Sequence, residues 1–231
     1  MSRNILVCIL LFFASLSGCL GDEGIDHSNF EGCTGEEVEV CVTDTPEENI
    51  TTNETTPDIG TLENQTLPII NSLGRVLNGT WQNWSSSNHF SGNGNWVLIQ
   101  FAATDCGHCW NGAQLMSDLH ANYGQNVTFL TFIINFSWSN SSLDEIAAFQ
   151  DEGNFSGCNN DNNNCNERPG SPHDWIYVDD RDLTWLAEFQ MTGTPSYVIV
   201  QPDGVVNWHH RQQGQNESIQ DAMDRLFGPG A

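Results

Sequence analysis

The tetrapeptide Cys106-Gly107-His108-Cys109 follows directly on the largely apolar run Trp96-Val-Leu-Ile-Gln-Phe-Ala-Ala103. That run has the length and composition of a buried strand. After it, Ala113, Leu115, Met116, Leu119 and His120 recur at helical spacing, with Gly124 as a stop. The two cysteines therefore fall at a strand-to-helix turn. Thiols two residues apart close a small disulfide ring, so that one attacks a target disulfide and the other resolves the mixed intermediate. Much later in the chain, Thr194-Pro195 stands just before a second apolar run, Tyr197-Val-Ile-Val200. A cis-proline there would bring a backbone edge beside the sulfurs and leave it open to a peptide strand.

The other elements follow from periodicity and turn residues. A buried strand is predicted over 127–136. The pattern Ser142-Leu-Asp-Glu145 is a capping-box start for a helix through Asp151. An irregular insertion, 152–172, contains Cys158 and Cys165. A strand at 175–178, a helix at 182–190 and a strand at 196–200 come next. The turn Gln201-Pro-Asp-Gly204 leads into a strand at 205–209, and a last helix covers 218–227. This order predicts an α/β domain over 75–231, a central mixed sheet flanked by helices with one insertion.

The N-terminal part reads differently. Arg3 precedes an apolar stretch, 5–16, too short to span a bilayer and matched to a signal-peptide core. Leu16-Ser17-Gly18-Cys19 resembles the lipobox of prokaryotic lipoproteins, which implies a signal peptide at 1–18 and lipidation of Cys19. The expected location is the outer face of the cell membrane, held there by the lipid. Residues 19–74 form an acidic segment with few large apolar groups and read as a flexible, disordered tether. In an oxidising compartment the remaining six cysteines read as three near-neighbour pairs: Cys33 with Cys41, Cys106 with Cys109, and Cys158 with Cys165. Local pairing is one of fifteen connectivities that six cysteines allow.

Thirty acids stand against six bases, and all six are arginine, for a net charge of −24. This excludes a nucleic-acid partner, because phosphate contacts require a basic face. Ten Asn-X-Ser/Thr triplets make an exported chain eligible for N-glycosylation. Asn159-Asn-Asp-Asn-Asn-Asn164 offers oxygen ligands but lacks the glycine turn and terminal glutamate of a calcium loop. No second Cys-X-X-Cys completes a zinc site, so no resident metal is expected.

Phe101-Ala-Ala-Thr-Asp-Cys-Gly-His-Cys109, Thr192-Gly-Thr-Pro-Ser-Tyr197 and Gln201-Pro-Asp-Gly204 together resemble the thioredoxin superfamily, most closely its extracytoplasmic thioredoxin-like lipoproteins. The resemblance implies a thioredoxin fold and thiol–disulfide oxidoreductase activity. Cys106 would be the nucleophile and Cys109 the more buried resolving thiol. Thr194 and cis-Pro195 would align substrate, and Trp110 would touch the redox site. His108 matches the intervening dipeptide of protein disulfide isomerases and would tune the pair toward an oxidant. The implied partners are exported thiol or disulfide proteins and a membrane redox partner that recycles the pair. No organic cofactor is implied, since the cysteines themselves carry two electrons. Three positions depart from the pattern. Gln100 replaces the buried proton-accepting aspartate of thioredoxin, and Gly112 a glutamate of cytochrome-maturation thioredoxins. Asp105 replaces the tryptophan before the first cysteine, where a carboxylate opposes thiolate formation. No buried acid beside the thiols is therefore expected. Gln114 replaces a helix-kinking proline, so a straighter helix is expected. A second reading stays open at this stage: a binding module with a structural disulfide, or a copper metallochaperone.

Overall fold

The structure, a computed structural model, describes residues 67–89 and 94–231. The signal, Cys19, Cys33, Cys41 and most of the expected tether lie outside the described residues. A hairpin opens the domain, β1 (Asn71–Arg75) pairing antiparallel with β2 (Gln82–Ser85). The composition of 67–74 assigns these residues to the tether. Instead Leu67 and Ile70 are buried and Leu67 N–H bonds the Gly204 carbonyl, so the fold begins earlier than residue 75. The hairpin requires Gly74: a Cβ there would fall 2.6 Å from Cβ of Trp84.

Next come β3 (Trp96–Ala102), the short helix α1 (Gly107–Asn111), α2 (Ala113–Tyr123) and β4 (Val127–Ile133). Helix α3 (Leu143–Asp151) leads into the insertion, which holds β5 (Ser156–Gly157), the one-turn α4 (Cys158–Asp161) and β6 (Asn163–Asn164). The chain then runs through β7 (Ile176–Asp179), α5 (Thr184–Glu188), β8 (Ser196–Val200), β9 (Val206–His209), α6 (His210–Gln213) and α7 (Ile219–Phe227). Seven strands form one sheet in the order β2-β1-β7-β4-β3-β8-β9. β7, β4 and β3 run parallel, and the other pairings are antiparallel. The order β4-β3-β8-β9, with a helical crossover after β3 and a helix after β9, is the thioredoxin fold. β7 and the hairpin extend its sheet on one side.

β3 and β8 are buried on both faces, as central strands rich in Val, Ile and Phe must be. Phe101, Phe132 and Phe189 pack as one tilted aromatic cluster beneath them.

The single helix expected over 109–123 is divided. Gly112, at φ −81°, ψ −4°, forms a one-residue turn between α1 and α2; its N–H still bonds the His108 carbonyl at 2.9 Å, and its carbonyl accepts the Met116 N–H at 3.2 Å. The interruption lies two residues before Gln114, which itself sits inside the regular helix α2.

The insertion is ordered around Arg168, whose guanidinium is buried. It donates to the carbonyls of Phe149, Pro169 and Ser171, contacts His173 Nε2 at 2.8 Å and lies 5.3 Å over the Phe149 ring. His173 in turn stacks on Trp175 and contacts the Tyr177 hydroxyl at 2.6 Å.

Asp180, at the end of β7, is fully buried. Its two carboxylate oxygens accept from Trp185 N–H and Leu186 N–H, capping α5 from outside the helix. Desolvation nonetheless dominates and pushes its carboxyl up to about 7, against the two backbone bonds. The folded state therefore holds a proton that the unfolded chain releases near pH 4. The resulting stability is fully present below that pH and is lost as pH rises toward 7. We expect Asp180→Asn to flatten this dependence. Its urea-unfolding free energy, compared with the unmutated protein, should improve from pH 4.5 to pH 8 by on the order of a few kcal/mol. Parallel pH curves for the two proteins would refute the assignment.

Candidate redox site

Cys106 is the N-cap of α1, in extended conformation, and its sulfur accepts the Cys109 N–H at 3.0 Å. The two cysteines are joined as a disulfide. Both are nearly enclosed, Cys109 (2 % exposed) more than Cys106 (6 %). Across from them, the Thr194–Pro195 peptide bond is cis, and Cys106 Sγ lies 3.5 Å from the Thr194 carbonyl oxygen. The register explains the meeting. Phe101 in β3 pairs with Ser196 in β8, so the chain leaving β3 and the chain entering β8 share one sheet end. The structure thus brings together Cys106, Cys109, Thr194 and Pro195. A groove runs on from Thr194 and Pro195 to His210 and Arg211.

The other expected site residues are distributed unevenly. His108 is exposed on α1, at the mouth of the turn. Asp105 is half-buried, its carboxyl raised by desolvation and by the nearby Asp161 charge, against bonds from Ser139 and the Asn160 backbone. Trp110 touches the redox turn, its backbone N–H bonding the Cys106 carbonyl at 2.9 Å, but, contrary to expectation, its ring is not placed to bind substrate. It is buried and meets Phe149 edge-on at 6.3 Å, because the helical turn from Cys109 swings it into the core. It packs α1 against α3 rather than offering a surface to substrate.

Gln100 occupies the position of the missing aspartate and is buried. It accepts from the Thr131 hydroxyl at 3.1 Å, which accepts from the Trp175 indole at 2.8 Å, and it also bonds Tyr197. Burial pushes the Tyr197 phenol up to about 12. This network is neutral and offers the thiols no base.

A buried acid does exist near the turn, although it bonds Thr104 and not the thiols. It is Glu145, on α3. Ser142 Oγ accepts the Glu145 N–H as the capping-box pattern predicts, but the Glu145 carboxylate turns away from the cap and bonds the Thr104 hydroxyl. Thr104 also contacts the Ser141 hydroxyl, and all three side chains are buried. Desolvation raises the Glu145 carboxyl, opposed by the Thr104 and Ser141 bonds. Sequence reasoning missed it because Ser-X-X-Glu is a purely local signal and its partner is 41 residues away.

The Cys158–Cys165 disulfide is formed, and the loop that it closes docks on the same turn. Asn159 N–H bonds the Thr104 carbonyl at 3.0 Å, and Asn160 donates its backbone to Asp105. Asn159, Asn160 and Asp161 all take positive φ, between 56° and 60°, which asparagine and aspartate tolerate best among residues with a Cβ. The polar run thus forms the tight turn that rims the dithiol.

Two outcomes are expected. In the reduced protein, Asp105→Asn removes a negative charge next to Cys106 and lowers the pKa of its thiol. Iodoacetamide should then alkylate Cys106 about threefold faster at mildly acidic pH. The difference should shrink as pH falls through the raised pKa of Asp105, where the native carboxyl also becomes neutral. Equal rates throughout would show that Asp105 does not act on the sulfur. Glu145→Ala should cost about 1 to 3 kcal/mol of folding stability by stranding buried hydroxyls, and Glu145→Gln less.

No family model matches the chain, and no curated protein does. Solved structures do. MTB dsbF, in mixed oxidized and reduced forms, is 19% identical, with a TM-score of 0.41 over 59% of this chain and 80% of that one. A thiol:disulfide interchange protein from Bacteroides sp. is 16% identical, with a TM-score of 0.48 over 73% and 91%. The mitochondrial 2-Cys peroxiredoxin of Plasmodium falciparum is 13% identical, with a TM-score of 0.48 over 71% and 93%. Strand order, the dithiol at the β3–α1 turn and the cis-proline before β8 make this chain a thioredoxin-fold protein.

Proposed function

We propose that the protein is an exported, lipid-anchored thiol–disulfide oxidoreductase acting on other exported proteins. The observation that carries this reading is the approach of the Thr194 carbonyl to Cys106 Sγ, at 3.5 Å beside cis-Pro195. A backbone edge so close to a reactive sulfur lets a substrate strand pair there while its own sulfur comes into line.

The exchange is balanced without a cofactor. In the reducing direction the Cys106 thiolate attacks a substrate disulfide, forming one S–S bond and releasing one substrate thiolate. Cys109, after losing its proton, attacks Cys106 Sγ, closes the ring and expels the second substrate thiolate. Two electrons and two protons pass to the substrate in total, and the oxidising direction is the reverse. The Cys109 N–H, held 3.0 Å from Cys106 Sγ, stabilises the thiolate that appears there. His108 at the mouth favours the reduced pair, and Asp105 opposes it. A membrane redox partner recycles the pair, and lipidated Cys19 holds the domain near that partner. Glycans on the triplets would suit the same exported setting.

Cys109→Ser should trap a mixed disulfide between Cys106 and a reducible protein substrate, seen as an added mass released by dithiothreitol. Cys106→Ser should trap none. Titration of the unmutated pair against glutathione then gives its potential. A value near that of protein disulfide isomerase, about −180 mV, means an oxidant or isomerase; one near that of thioredoxin, about −270 mV, means a reductant. A pair that dithiothreitol cannot open would sink the redox reading in favour of a binding module.

A further inference from the structure

We infer that Arg211 is a specificity residue that selects substrate polypeptides with an acidic side chain near the reacting cysteine. This rests on the redox reading above and adds to it the chemistry of the preferred partner.

The charge distribution carries the argument. From Leu67 onward the chain has seventeen acids and five arginines. Four of those arginines are committed to carboxylates: Arg75 to Asp151, Arg168 to Glu152, Arg181 to Asp179 and Arg225 to Glu217. Among the described residues Arg211 alone has no carboxylate within ion-pair distance. It is exposed, and one guanidinium N–H donates to the Gln190 carbonyl. Its other N–H groups carry no bond among the described residues. A guanidinium anchored on one side presents the planar donor pair that a carboxylate takes bidentately.

Position makes the charge relevant. Arg211 lines the same groove as Thr194 and Pro195, and no Asp or Glu lines it. A peptide paired along the Thr194 backbone therefore passes Arg211 within a few residues of its cysteine. The neighbouring His210 does not compete for the role. Its ring lies flat against Tyr197 and Trp208, and burial lowers its pKa toward the neutral form. The acids lie elsewhere: Asp105, Glu145 and Asp161 line a separate hollow on the insertion side of the turn. In a domain this acidic, a groove without carboxylates and with one uncommitted cation repels acidic chains least at the point where exchange occurs.

The test uses the full chain with Cys-containing peptides, blocked at both ends and linked as disulfide homodimers. Residues flanking the cysteine are Glu, Gln or Lys, and the readout is the ratio of kcat/KM values. The unmutated protein should prefer the Glu peptide over the Lys peptide by about three- to tenfold, less as salt rises from about 0.05 to about 0.5 M. Arg211→Glu should invert the ratio, Arg211→Gln should bring it near one, and Arg211→Lys should retain most of it. Because each ratio is internal to one protein, a partly misfolded variant still reports it. An unmutated ratio near one, or a Glu preference that survives Arg211→Glu, overturns the assignment. Failure of the unmutated protein to exchange with any peptide, or with neutral bis(2-hydroxyethyl) disulfide, would instead overturn the redox reading.

Discussion

The pairing of β3 with its two neighbours is the constraint on which the rest depends. β3 lies parallel to β4 along its whole length and antiparallel to β8 from Val97 to Phe101. Both faces of β3 and β8 are buried, so a slip of one residue would force every side chain into space packed for one of another shape. That register delivers Cys106 and Thr194 to one end of the sheet from opposite chain directions. The dithiol site is thus a consequence of strand pairing. Its two halves, almost ninety residues apart, need no direct attraction to find each other.

Much of this was legible in the sequence, for identifiable reasons. Strands β3, β4 and β8 announce themselves because doubly covered strands are nearly all apolar, and Ser218 and Ser142 cap their helices as the local pattern indicates. The dithiol and Thr194-Pro195 were readable because each is a short motif bound to an adjacent strand. What escaped was whatever depends on partners far away in the chain. The β1–β2 hairpin is weakly apolar and gains order only by joining β7 and burying Ile70. Trp110 could not be oriented without knowing that α3 lies beside α1 and offers Phe149. Glu145 looked like a cap residue until α3 was placed beside Thr104.

The turn that presents Cys106 is held from three sides. Glu145 bonds the Thr104 side chain, Asn159 bonds the Thr104 carbonyl, and Asn160 reaches Asp105. Helix α3, packed beside α1 through Trp110 and Phe149, and a disulfide-closed loop add independent restraints. Preorganisation of this sort limits how far the sulfur moves when the ring opens, and so how much ordering a substrate must supply on binding.

Arg168 gives the insertion a different standing from that of an ordinary surface loop. Its guanidinium links the carbonyl of Phe149 in α3 to two carbonyls of the insertion itself and to His173, which leans on the sheet through Trp175 and Tyr177. Remove the segment and a row of core carbonyls and rings loses its cover. In evolutionary terms such an insertion is a ratchet. Once the core has come to depend on it, descendants can vary its tip freely but can no longer discard it, so its length should persist even where its asparagines drift.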